Sequence, residues 1–544
     1  MKSSNVDRRS FLSSSAMAAS FLMGTPLERA WAARSEGTGG NPVVDTSAGK
    51  VRGAVSGKVN VFKGIPYGAS TEGKGRFLPP SKTQPWTGVK DALEWGHRAP
   101  TIRGVPLVTE YAVMDYTGPA GEDCLVVNVW TQGLKASHKR PVMVWLHGGG
   151  YANGSASSAV FDGTNLAAKH DVVVVGCNHR LNILGYLYLA GIGGEKYADA
   201  SNTGMLDIIQ SLEWVRDNIA NFGGDPNNVT IFGQSGGGSK VSTLMGMPAA
   251  KGLFHKAIAM SGSAVNGISK EAATKTAENV LARLGLKANQ IDELQTVSLD
   301  KLLPLTVAPG PVGQFGPVID GRSIPAVPFN PVASDLSARV PMIIGSNETE
   351  VTWLANQSYD PLDDAALRAR VRQALRSDEA SADSVIATYK KNRPKASNLD
   401  LYLILASDAS NFRVDTDLEA ERKAEQKKAP VYKHYWQWYS PVRGGALRAM
   451  HTMELPFLFQ NLEIAKTEVG PASGEMQALA DQISGAFTSF ARTGNPNHKG
   501  LPHWQPFDAT ERATMIWNTE CRVVKDPFKE ERMARLGVKK ATAA

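Results

Sequence analysis

The chain has few cysteines, no long apolar run and little charge excess, and each shortage removes a class of explanation. Only Cys124, Cys177 and Cys521 occur in 544 residues, and no pair of them has the spacing of a metal-ligand motif. A disulfide framework or a zinc module is thereby excluded as the organising principle. No uninterrupted stretch of about 18 apolar residues is present, so no membrane-spanning helix is expected and stable membrane insertion is not predicted. The formal charge is +7, and Lys and Arg are scattered apart from a mixed-sign stretch, Lys525–Lys540, that reads as a solvated helix. Nucleic-acid binding finds no support in that pattern. Internal repeats and low-complexity linkers are also lacking.

What is present is the composition of a globular protein able to bury a large core, with 42% hydrophobic and 20% charged residues. The first residues differ from the rest. Asp7-Arg8-Arg9-Ser10-Phe11-Leu12 precedes a modest apolar run to Gly24 and then Ala30-Trp31-Ala32-Ala33. Twin arginines, a weakly hydrophobic segment and a small-x-small site predict a twin-arginine export signal over residues 1–33, cleaved near Ala32 or Ala33. The mature chain, 34–544, is then expected as one domain, periplasmic or secreted. Removing the signal lowers the formal charge from +7 to +5.

Unbroken β-branched or apolar runs recur at Pro141–Leu146, Val172–Cys177, Val229–Phe232, Ala257–Met260, Pro341–Ile344 and Val431–Trp438. Such runs predict parallel strands buried on both faces. Gly204–Asn221 intervenes with Leu206, Ile209, Leu212, Trp214, Val215 and Ile219 on one helical face. The alternation predicts an α/β fold with a large, mostly parallel central sheet flanked by helices. Glycine-punctuated Val43–Val61 predicts a small antiparallel N-terminal edge. Lys270 to Leu303 and Pro361 to Ala406 read as helical insertions over the active-site end rather than separate domains.

Val229-Thr-Ile-Phe-Gly233-Gln234-Ser235-Gly236-Gly237 is a strand running into G-x-S-x-G. In such a nucleophile elbow the chain turns so sharply that its neighbours must be small, and the serine oxygen projects from the turn. By chance a chain this rich in glycine gives on the order of 0.4 matches, so the preceding buried strand carries the weight. A second element, Trp145-Leu146-His147-Gly148-Gly149-Gly150-Tyr151, ends another apolar strand. There the backbone N–H groups of Gly149 and Gly150 can join that of Gly236 around the oxyanion of a tetrahedral intermediate.

Glu122-Asp123-Cys124-Leu125, Asn178-His179-Arg180-Leu181 and Phe222-Gly223-Gly224-Asp225-Pro226 complete a series whose order resembles that of type-B carboxylesterases, the family that includes cholinesterases. The similarity runs from about Val43 through Arg492-Thr493-Gly494-Asn495-Pro496-Asn497 to Trp517. The resemblance implies the α/β-hydrolase fold and a serine carboxylic-ester hydrolase of small-molecule esters with no cofactor. Matching Asn347 of Ile343-Ile344-Gly345-Ser346-Asn347-Glu348-Thr349-Glu350 to the family's asparagine implies Glu350 as the acid. Glu348 is its rival and otherwise reads as solvated surface charge. Arg448-Ala-Met-His451-Thr-Met-Glu454 resembles the family's histidine segment, so His451 is the implied base, ahead of His147 in the glycine turn and His434 inside a strand. The chain order Ser235, Glu350, His451 is that of the α/β-hydrolases. Gln234, Ser261 and Glu454 are expected as supporting residues.

Two departures from the family pattern matter. Gln234 stands where glutamate is common, which removes a buried negative charge and makes a cationic substrate less expected. The usual partner of Cys124 is missing from Trp95-Gly96-His97-Arg98-Ala99-Pro100, so that disulfide is not expected. A hydrolase of amide or other acyl bonds, and a non-catalytic binding module of the same fold, are the competing functions. The retained Ser235, Glu350 and His451 weigh against the second.

Overall fold

Along Arg140–Leu146 successive side chains go to opposite faces of a sheet, and both faces are covered. Val142, Val144 and Leu146 join one apolar cluster, Met143 and Trp145 the other. That is why the run carries no polar face. Each such fully buried Val or Leu stabilises the fold by roughly 1.5–3 kcal/mol. In this computed structural model the described residues are 40–538, apart from 103–108, 117, 135–136, 138, 308–311 and 354–358. The expected export signal, 1–33, therefore lies outside the described residues.

Among the described residues the strands begin with β1 (Val43–Thr46), β2 (Gly49–Arg52), β3 (Ala54–Ser56), β4 (Val59–Pro66), β5 (Val89–Asp91), β6 (Val126–Thr131) and β7 (Arg140–Leu146). They continue with β8 (Val173–Cys177), β9 (Gly224–Gln234), β10 (Lys256–Met260), β11 (Met342–Asn347), β12 (Val431–Trp436), β13 (Thr514–Trp517) and β14 (Arg522–Val524). Eleven form one sheet in the order β14-β13-β12-β11-β10-β9-β7-β8-β6-β4-β3. From β8 through β13 neighbouring strands are parallel, and the two edges are antiparallel. The predicted antiparallel N-terminal edge is split. β3 and β4 extend the large sheet, whereas β1 and β2 make a three-stranded sheet with β5.

All six apolar runs are strands, and Thr203–Asn218 is the expected helix. β9 is longer than predicted because Gly224 pairs with Arg140 and the register shifts before Val142 meets Val229. β6 lies outside the six runs because Asn128 interrupts its apolar residues. The insertions after β10 and β11 are helical, at Lys270–Leu284 and at Asp364–Leu375, Glu379–Asn392 and Asn398–Asp408. Both leave the C-terminal end of the parallel strands, where ligands bind in open α/β sheets.

The C-terminal stretch departs from its expectation as a solvated helix. Lys529–Leu536 is helical, but Glu531 is fully buried against Arg393, at 2.9 and 3.0 Å, and Arg535 donates to the Asp408 carbonyl. Partners more than 100 residues distant turned a charged face inward. Cys124, Cys177 and Cys521 are all buried and free. No helix among the described residues is long and apolar enough to cross a membrane.

Candidate active site

β9 ends at Gln234 and the helix Gly236–Leu244 starts two residues later, which leaves Ser235 alone to reverse the chain. It does so at φ 58° and ψ −127°, a conformation costly for any side chain. Surrounding bonds hold it there. Ser235 N–H donates to the Met260 carbonyl at 2.8 Å, and its own carbonyl accepts from Ser239 N–H at 3.0 Å. The turn is packed backbone to backbone: a Cβ on Gly237 would lie 1.9 Å from the Leu146 carbonyl oxygen, so no other residue fits there.

Leu146 ends β7, so the following glycine turn lies beside the elbow. Gly149 and Gly150 have φ of 89° and 62°. A Cβ on Gly236 would lie 2.5 Å from Gly150 N, so the glycine turn packs directly against the start of that helix. Neither the Gly149 nor the Gly150 N–H donates to a backbone carbonyl among the described residues.

The residues implied as acid and base, Glu350 and His451, arrive from the end of β11 and from the loop after β12. Thr349 and Met450 form an isolated bridge, Thr349 N–H donates to Ala449, and Asn347 Nδ2 donates to the Met450 carbonyl at 2.8 Å. Those bonds stitch the two loops together. Glu350 is fully buried, with Oε2 2.5 Å from His451 Nδ1. Its Oε1 accepts from Ser261 Oγ and from Asn347 N–H, both at 2.7 Å. Three donors on one carboxylate fix its plane and hence the ring. Phe412 and Trp353 flank that ring at centroid distances of 4.5 and 5.4 Å.

The remaining candidates sort by what they touch. Gln234 Nε2 lies 3.3 and 3.2 Å from the two nitrogens of His451. Glu454 Oε2 accepts from Asn347 Nδ2 at 2.6 Å, and burial pushes its carboxyl up to about 7. His147 stacks on His179, is pushed down to about 3 by burial, and its ring Nδ1 lies 2.9 Å from the next carbonyl, Gly148. His434 is enclosed in β12 and likewise pushed down to about 3 by burial. Glu348 is not the solvated carboxylate expected from the sequence. It is 2% exposed and accepts from Arg393 Nη1 at 2.6 Å and Gln437 Nε2 at 2.9 Å, away from the histidine. Sequence reasoning used Asn347 only to set register and missed Phe412 and Trp353, which carry no motif.

Ser235, His451, Gly149 and Gly150 open on one cavity of about 290 Å³, walled by Met114, Phe161 and Trp353. No Asp, Glu, Lys or Arg lines it among the described residues. Residues 40–536 match the sequence model described as the carboxylesterase family. The chain belongs to that family. It is a carboxylic-ester hydrolase of the α/β-hydrolase fold. The chain is 34% identical to para-nitrobenzyl esterase of Bacillus subtilis (strain 168), over 90% of this chain and 97% of the relative. It is 32% identical to carboxylesterase 3 of Homo sapiens, over 87% and 86%. Among solved structures, an esterase from Clostridium hathewayi that can hydrolyse aliphatic aromatic polyesters aligns with a TM-score of 0.78 at 32% identity, covering 92% of this carboxylesterase and 98% of that chain.

Proposed function

We propose that this carboxylesterase works through Ser235, His451 and Glu350 by way of an acyl-enzyme. His451 Nε2 takes the Ser235 proton, and the alkoxide attacks the ester carbonyl. The N–H groups of Gly149, Gly150 and Gly236 stabilise the oxyanion. His451 then protonates the leaving alcohol and activates the water that frees the acid. Glu350 keeps the proton on Nδ1, so that Nε2 is free to accept, and offsets the imidazolium charge. The observation that carries this reading is the 2.5 Å contact between Glu350 Oε2 and His451 Nδ1, with the histidine facing the same cavity as the strained Ser235.

The substrates are small to medium uncharged esters. Support comes from the apolar wall, the lack of Asp, Glu, Lys or Arg among the described residues of the lining, and an amide at Gln234 rather than a carboxylate. The name of the Bacillus subtilis relative points the same way, toward aryl-bearing esters. Residues 1–33 carry the chain out of the cytoplasm by the twin-arginine route, the reading supported by Arg8-Arg9 and Ala30-Trp31-Ala32.

The test is Ser235→Ala assayed against nitrophenyl esters of increasing acyl length. Turnover is expected to fall by several orders of magnitude for every ester with the fold retained. A folded variant within tenfold of the parent would remove Ser235 from the mechanism.

A further inference from the structure

Lys240 is the fifth residue of the helix Gly236–Leu244 and does not line the cavity, yet its side chain is completely buried. Its Nζ donates to the carbonyl of His147 at 3.0 Å and of Gly150 at 2.8 Å. Among the described residues no carboxylate pairs with it. A buried ammonium without a counter-ion opposes folding, so its presence here calls for a return in function.

The groups that face it are His147 and Tyr151 from the glycine turn, and Cys177 and His179 from the end of β8. None is an anion: burial pushes the Cys177 thiol up to about 12 and the Tyr151 phenol up as well, and holds both histidines neutral. The two carbonyls it binds bracket Gly148 and Gly149. A peptide's C=O and N–H point in opposite directions, so holding the carbonyls at both ends of the turn restricts how the intervening peptides can rotate. Gly149 and Gly150 are at positive φ; the Gly148 carbonyl is bonded to His147 Nδ1 and the Gly149 carbonyl accepts from Ala152 and Asn153 N–H, so Lys240 completes the set at the two ends of the turn. Gly150 also abuts Gly236, so its position sets the spacing between those two donors.

We propose that Lys240 is a positioning residue for ester hydrolysis, clamping the carbonyls of His147 and Gly150 so that the Gly149 and Gly150 N–H groups stay aimed at the oxyanion. Its charge, buried behind them, favours the oxyanion over the neutral carbonyl in a medium of low dielectric. This inference rests on the Ser235 reading and deepens it.

The test compares Lys240→Met, close to lysine in length but without donor or charge, with the parent full-length protein at pH 6.5. A nitrophenyl ester reports turnover. A trifluoromethyl ketone, which forms an oxyanion on Ser235, is compared with the corresponding alcohol, which cannot. Expected is a fall of about tenfold or more in kcat and in ketone affinity, with KM and alcohol affinity nearly unchanged, because losing one oxyanion donor outright costs roughly 100- to 1000-fold. A fall of less than threefold in kcat and ketone affinity, or an equal loss for the alcohol, overturns the proposal.

If Lys240→Met does not fold, calorimetry in two buffers of different ionisation enthalpy decides the matter at pH 8. Burial pushes the free ammonium down to about 7, so an adjacent oxyanion should make the parent take up a proton when the ketone binds. The count is taken as the difference from Lys240→Arg, whose guanidinium does not titrate, so that contributions from Glu454 and Glu468 cancel. No difference overturns the proposal. Failure of the Ser235 reading is distinguishable, since it appears as retained turnover in Ser235→Ala whatever happens at Lys240.

Discussion

Glu350→Gln and Glu348→Gln make the same chemical change two residues apart, and the surroundings of each carboxylate dictate opposite outcomes. At Glu350 one oxygen accepts from Ser261 and Asn347 N–H while the other faces His451 Nδ1. A glutamine that keeps the first pair must turn its NH2 toward Nδ1. The ring then relieves the donor–donor clash by moving its proton to Nε2, the nitrogen that has to accept from Ser235. The lost tautomer and the unbalanced imidazolium should lower kcat by about 100- to 10,000-fold, or about 2.7–5.4 kcal/mol of barrier. At Glu348 the amide oxygen still accepts from Arg393 and Gln437, and Arg393 keeps Glu531. The expected cost is about 1–3 kcal/mol of stability with kcat within about threefold. Purified variants with matching circular dichroism spectra, assayed with nitrophenyl acetate and by thermal unfolding, separate the two effects. A crippled Glu348→Gln beside a near-normal Glu350→Gln would shift the register of this loop by two residues and refute the assignment.

Gln234→Glu would add a carboxylate beside both nitrogens of His451, favour the imidazolium and move the acid limb of the kcat/KM profile to higher pH. A limb displaced downward or not at all would contradict the placement of that amide. Burial pushes the Glu419 carboxyl from its ordinary 4.5 up to about 8, against hydrogen bonds from Ser242 Oγ and Ala264 N–H. The folded chain thus holds a proton that the unfolded chain sheds across that window, so stability should decline as pH rises from about 4.5 to 8. Glu419→Gln should flatten the decline in melting temperature between pH 6 and 8.5, and parallel curves would rule this out. Replacing Arg8 and Arg9 by lysine should leave the protein unprocessed in the cytoplasm; equal export by cell fractionation and mass spectrometry argues against a twin-arginine signal.

The fold was legible where its cause is local. An apolar run such as Val173–Cys177 needs only its own residues to declare that both faces are covered, and glycines flanking Ser235 declare a turn with no room for side chains. Short strands were harder. β13, next to the edge, is buried but only four residues long, and β14, at the edge, has three residues that are partly exposed, so neither is long enough to declare itself. Charged residues were least legible, because sequence alone cannot distinguish a carboxylate that meets water from one that meets an arginine. Glu348 meets Arg393, 45 residues on, and Arg393 meets Glu531, 138 residues further. Lys240 had no local mark at all, since a lysine two positions from a run of glycines reads as surface until the turn after β7 is folded over it.

The same long-range placement leaves Glu350 as the carboxylate bonded to the His451 ring among the described residues. Gln234, whose amide lies within 3.3 Å of both ring nitrogens, is neutral, and burial pushes Glu454 up to about 7, so near neutrality it supplies only part of a charge. Glu468, behind it, is raised further by burial and by Glu454 itself. The carboxylate bonded to the ring is held by Ser261 and Asn347, and Asn347 also joins Glu454 and the backbone of the histidine loop. Asn347 therefore couples Glu350, the loop that carries His451, and Glu454 through one amide and one backbone N–H. Losing its side chain should loosen the register of both loops, whereas losing Glu454 should mainly remove charge. Asn347→Ala is accordingly expected to lower kcat and stability together, while Glu454→Gln, which keeps an acceptor for Asn347, should leave stability at pH 6 nearly unchanged. Equal destabilisation in the two variants would mean that the carboxylate, not the amide, ties the loops.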